Sequence, residues 1–124
     1  MQAAVSLPAE QRITQTLFQG DKFVDQYYRS FGKSVGKFYT PDTRVIWNGA
    51  GMTGAQFLQA LPQLQAALSG FDVTSYDVQP FGELAMVSVS GTVRLNGKAQ
   101  FVQYFVVKKT GSLTYIVSDC FRLV

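Results

Sequence analysis

No histidine occurs anywhere in the 124 residues. That removes the commonest general base, the commonest metal ligand and every nucleophile–histidine pair. Cysteine is nearly as scarce. Cys120 stands alone, so there is no intrachain disulfide and no cysteine-based zinc site, and a reducing, intracellular compartment fits. Its thiol reads as a small apolar side chain rather than a reactive group. Charge is sparse too: 15% of residues are charged and 47% hydrophobic, where a soluble domain has about 25% charged. Part of that apolar excess is expected to face a partner. No apolar run reaches the roughly 18 to 20 residues a membrane helix needs, and residues 1–30 lack the basic start, apolar middle and small-residue cleavage site of a signal peptide. Eleven basic residues against eight acidic ones give a net charge of +3, weak evidence for an acidic partner. No cofactor is expected.

What is present reads as one domain with a single core. Apolar residues Ile13, Leu17, Phe23, Val24, Tyr27, Tyr28 and Phe31 recur at helical spacing, with Ser6 as N-cap and Pro8 in the first turn, so a long helix is expected over 8–30. A short helix over 35–39 should end before Pro41, a strand should follow over 43–47, and 48–51 should turn. Thr53 and Gln56 form a capping box for a second amphipathic helix, which Pro62 should end or kink. From Gly70 onward the period changes to two, with strands expected over 71–79, 84–95, 99–109 and 112–123 and a tight hairpin at Asn96–Gly97. Helices first and a meander after imply an α+β domain: a curved antiparallel sheet with the N-terminal helices packed on its concave face.

Alternation sorts the strands into two faces. Ala85, Val87, Val89, Val93, Phe101, Phe105, Val107, Tyr115, Val117 and Phe121 should lie beneath the helices. The other face then carries Met86, Ser88, Ser90, Thr92 and Arg94, next Val102, Tyr104 and Val106, then Ile116, Ser118, Cys120 and Arg122. A face mixing Met, Val, Tyr, Ile and Cys with small hydroxyls is built to be covered, by another protein or by an end of the same chain. Arg122 finds no carboxylate among its outer-face neighbours, because Asp119 points inward on this register. Its anion is therefore expected from another chain, with an arginine fanning into water as the alternative.

The segments VIWNGAGMTGAQFL, YDVQP, FVQYFVVKK and SDCFRLV resemble, in order and spacing, the nuclear transport factor 2-like family. They are most similar to its export-related branch, the small subunit of the heterodimeric mRNA export receptor. The resemblance implies a cone-shaped fold and a non-enzymatic subunit. That subunit pairs sheet to sheet with the matching domain of a TAP-type large subunit, contacts phenylalanine–glycine nucleoporins, carries mRNA mainly through the complex and shuttles between nucleus, nuclear pore and cytoplasm. It implies that Arg122 meets an aspartate of that partner, with Cys120, Ser118, Ile116, Tyr104, Val102, Met86, Ser88 and Ser90 as further contacts. The family's homodimeric import factor holds Ran with an acidic residue where Asn48 stands here and with an acidic hairpin loop where this chain reads LNGK, so Ran binding is not expected. Ser88, Tyr104 and Cys120 replace the methionines of that homodimer.

Two other readings stay open. The same fold class includes isomerases and dehydratases, for which Tyr27, Tyr28 and Tyr39 would donate hydrogen bonds and Asp42 or Asp119 act as base. Bulky Phe101, Phe105 and Phe121 speak instead for a packed interior, with Asp119 as a structural acceptor. Arg29, Lys33, Lys37 and Arg44 form a candidate basic patch for weak nucleic-acid contact, or simply a solvated face. Trp47 reads as core packing, and Phe18 as a candidate exposed contact.

Overall fold

The computed structural model describes residues 20–124. Helix α1 spans Gly20–Arg29 and a 3-10 turn Val35–Phe38; β1 is Arg44–Trp47, β2 Ala50–Thr53 and α2 Gly54–Ala67. The four long strands are β3 Ser69–Phe81, β4 Leu84–Arg94, β5 Lys98–Thr110 and β6 Leu113–Leu123. The long helix expected over 8–30 is therefore seen in its last ten residues. Ser6, Pro8 and Phe18 lie outside the described residues.

The six strands form one sheet in the order β2-β1-β6-β5-β4-β3. It is curved and mixed rather than wholly antiparallel, because β1 runs parallel to β6. The chain between them is long enough for the crossover a parallel pair requires. The segment expected only to turn at 48–51 is a hairpin leading into β2. Asn48 (φ 51°) and Gly49 (φ 91°) occupy the left-handed region, as do Asn96 (φ 50°) and Gly97 (φ 108°). Asn48–Gly49 is a two-residue turn, whose central positions both need positive φ, while Asn96–Gly97 lies in a three-residue loop between Arg94 and Lys98.

The capping box forms as read: Gln56 N–H donates to Thr53 Oγ1 at 3.1 Å and Thr53 N–H to Gln56 Oε1 at 2.9 Å. Pro62 does not end α2. It sits on the exposed side while Phe57 and Leu61 are buried, and the helix continues to Ala67 across the one hydrogen bond that proline cannot make.

The concave face is filled with rings. Phe23, Tyr27, Phe31, Phe57, Phe101, Phe105 and Phe121 are buried, and Phe105 meets Phe23 and Tyr27 edge-on at 5.2 and 4.8 Å between centroids. Trp47 stacks on Phe121 at 4.2 Å, the packing role its position suggested.

One register differs from simple alternation. Val106 pairs with Ser118 but Val107 with Ile116, so β6 carries a bulge at Val117. A bulge inserts one residue and reverses the faces beyond it. Ile116, expected outside among the partner contacts, is fully buried, while Val117 and Tyr115, expected inside, are 38% exposed and half-buried.

Candidate partner-binding face

The outer face is built from three cross-strand rows. Arg122, Val102, Ser90 and Ser75 form one, Cys120, Tyr104, Ser88 and Asp77 the next, and Ser118, Val106, Met86 and Gln79 the third. On the far side β1 extends the face, with Arg44 beside Ser118 and Ile46 beside Cys120. Eight of the nine expected contact residues thus share one surface: Arg122, Cys120, Ser118, Tyr104, Val102, Met86, Ser88 and Ser90. Ile116 is the exception. Alternation missed Ile46 and Val117, which belong to the same surface; β1 could not be joined to it without the parallel pairing, nor Val117 without the bulge.

Ile46, Met86, Tyr104 and Val117 are 49, 41, 48 and 38% exposed. Apolar side chains gathered on one sheet face with small hydroxyls between them make this face a candidate interaction surface. Arg122 is exposed and has no hydrogen-bond or ion-pair partner among the described residues. Asp119, its neighbour in sequence, lies on the opposite face, 2% exposed.

Behind the face sits a buried polar cluster. Tyr39 Oη donates to Asp119 Oδ2 at 2.5 Å and Gln103 Nε2 to Asp119 Oδ1 at 2.8 Å. Tyr27 and Tyr39 share a hydrogen bond at 2.6 Å, Gln103 Nε2 also reaches Tyr27 Oη at 3.3 Å, and Tyr28 Oη donates to Gln103 Oε1 at 2.7 Å. Because Tyr39 gives its proton to Asp119, Tyr27 must be the donor to Tyr39, so every proton in the cluster runs toward the carboxylate. Burial pushes the Asp119 carboxyl up to about 7, against the pull of the Tyr39 and Gln103 hydrogen bonds. Burial, with the charge of Asp119, raises all three phenols well above their usual range.

Of the candidate acid–base residues, Tyr27, Tyr28, Tyr39 and Asp119 come together here. Asp42 does not: it is exposed beside Thr40, whose hydroxyl accepts from its backbone N–H. Gln103, which sequence reasoning passed over among phenylalanines, bridges the cluster. Its only signal was a polar residue at an inward position of β5.

The basic residues do not converge. Arg29 pairs with Asp25 at 2.8 Å along α1 and lines a groove of about 690 Å³ against β3 with Tyr28, Phe71 and Val73. Lys33 is exposed, Lys37 lies over the Phe38 ring at 5.2 Å, and Arg44 is on the outer face of β1, four strands from β3. Asn48, at the position the import factor makes acidic, is tied to β6: its N–H donates to Phe121 O at 2.7 Å and its Oδ1 accepts from Leu123 N–H at 3.2 Å.

The profile of the nuclear transport factor 2 (NTF2) domain matches residues 19–123. The chain belongs to the NTF2 domain family. Its α+β cone is that family's fold. Among solved structures, it is similar to nuclear transport factor 2 of Cryptosporidium parvum, at 26% identity over 90% of this chain and 94% of that one, with a TM-score of 0.75. It is also similar to the yeast UBP3-associated protein BRE5, at 17% identity over 83% and 92%, TM-score 0.73; Bre5 is known too in a complex with the deubiquitinase Ubp3 as its cofactor. A third similar structure is a candidate dehydratase of the NTF2-like family from Streptomyces avermitilis, at 15% identity over 89% and 97%, TM-score 0.75. A comparison with curated proteins finds no significant match. The fold thus serves proteins described as transport factor, cofactor and candidate enzyme, and function must be argued from the site.

Proposed function

We propose that this NTF2 domain is a non-enzymatic adaptor, the small subunit of a heterodimeric mRNA export receptor. Its outer sheet face pairs with the matching domain of a TAP-type large subunit, and the pair carries mRNA past phenylalanine–glycine nucleoporins. The single observation that carries the reading is that face, where Ile46, Met86, Tyr104 and Val117 stand exposed around an arginine that has no carboxylate among the described residues. A charge-assisted Arg–carboxylate pair across an interface answers that deficit. The SDCFR ending and the WNG segment favour the export branch over the import factor, and Asn48, engaged with β6, leaves no acid for Ran. Ring packing around Asp119 supports a structural rather than catalytic part for that carboxylate, each of whose oxygens accepts a hydrogen bond, from Tyr39 and from Gln103.

The test is the mass in solution, by light scattering, of the chain alone and mixed with the matching domain of a TAP-type receptor. A one-to-one complex is expected. A stable homodimer indifferent to that domain would defeat the reading.

A further inference from the structure

A shallow hollow of about 230 Å³ opens on the outer face over β3, β4 and β5, running from Val102, the cross-strand neighbour of Arg122, to Asp77 on β3, three strands from β6. Its floor is Ser75, Ser88 and Ser90, with Val102 and Tyr104 on the β5 side and Asp77 on the β3 side. Serine side chains are short beside tyrosine, so a depression forms wherever they adjoin in the cross-strand rows. Ser75 Oγ and Ser90 Oγ hydrogen-bond to each other at 2.7 Å. Tyr104 is 48% exposed.

We propose that this hollow is a socket for a lysine or arginine side chain of the partner, with Asp77 as its counter-charge. The inference rests on the adaptor reading and says what the partner must present there. Asp77 is the one ionisable carboxylate in the lining, and it has no hydrogen-bond or ion-pair partner among the described residues. It cannot be neutralised by Arg122. Strands lie about 4.8 Å apart, so two positions separated by three strand spacings are roughly 14 Å apart, beyond any ion pair.

An apolar plug would bury the Asp77 carboxylate and the Ser88 hydroxyl without partners, which is unfavourable. An acidic plug would be repelled by Asp77. A cation suits them: the hydroxyls and the carboxylate accept from its N–H groups, and the exposed Tyr104 ring attracts it through its quadrupole. The interface is then charge-reciprocal, giving a cation over β6 and receiving one over β3. Two oppositely signed anchors a fixed distance apart also set the orientation of the partner, since turning it end for end would place like charges together.

The experiment is a titration of the TAP-type receptor's matching domain against wild type, Asp77→Asn and Arg122→Ala at two salt concentrations. Asp77→Asn keeps the size and polarity of an exposed residue and is expected to fold. It should bind about tenfold more weakly at 0.1 M salt and lose part of the salt dependence, as an ion pair does when one charge is removed. If Arg122→Ala binds weakly but Asp77→Asn binds like wild type, the socket is wrong while the adaptor reading survives. If wild type itself does not bind the domain, the adaptor reading fails and the socket with it. If Asp77→Asn dissolves a homodimer of this chain without affecting the receptor domain, the cation is Arg122 of a second copy, and the choice of occupant is overturned.

Discussion

Asp119 and Arg122 are three positions apart and lie on opposite faces of the sheet, and their environments give them opposite tasks. Asp119 is a buried carboxylate with two strong donors and no cation in its cluster. Its carboxyl is held at about 7 by burial, against the ordinary value near 4 in the unfolded chain. A raised folded value means that folding takes up a proton. The group's contribution to stability is therefore fully present below about pH 4 and is lost as pH rises through 7. Thermal unfolding of wild type should fall in midpoint between pH 5 and 8, with Asp119→Asn giving a distinctly flatter profile; equal slopes would show that Asp119 is ionised in the folded state throughout. Arg122 has the opposite signature: Arg122→Ala should leave the unfolding midpoint within a degree or two. It should weaken the partner domain by about a hundredfold or more, since truncating one side of a buried ion pair costs about 3 to 5 kcal/mol. Parallel titrations and melts of that variant check both halves.

At the scale of elements, the legible parts were those with local causes. The box at Thr53 and Gln56 depends on four consecutive residues, and it forms. Thr53→Ala should lower stability by about 1 kcal/mol, measurable by urea unfolding, with no effect on partner binding. A loss near zero would mean that the glycine following it, not the cap, starts α2. Gly54 itself cannot be exchanged without a shift of backbone, because a Cβ there would lie 1.8 Å from Thr40 O. Pro62 shows where a local rule yields: proline forbids one hydrogen bond, but the buried Phe57 and Leu61 on the other side of α2 hold the helix across it. The Val117 bulge shows the reverse. Nothing in IVSDCF marks where a residue will be inserted, because the bulge is a property of the β5–β6 pairing and not of β6 alone. That single residue moved Ile116 into the core and Val117 out to the surface.

Taken whole, the molecule keeps most of its rings on one side of the sheet and, on the other, a surface of exposed apolar side chains and small hydroxyls with a few separated charges. The two sides are separable by mutation. Met86→Glu, at an exposed outer position, should keep the fold and its unfolding midpoint while abolishing a one-to-one complex in light scattering, because a lone carboxylate would be buried on association. If the complex persists, the interface does not extend across β4. In this chain the helices and the concave face carry the core, and the convex face takes little part in it.

By itself the sequence determined the succession of elements apart from β2, the turn around Asn96–Gly97, the inward set on β4 and β5 and the outward place of Arg122. Each follows from periodicity or from the φ demanded of one or two residues. Only the tertiary structure decided that β1 lies parallel to β6, which brings Arg44 and Ile46 onto the face, that Gln103 joins Tyr28 and Tyr27 to Asp119, and that Asp77 stands across the sheet from Arg122. These depend on which strands become neighbours and in what register. Pairings between residues dozens of positions apart are chosen by the packing of the whole core, which no local window contains.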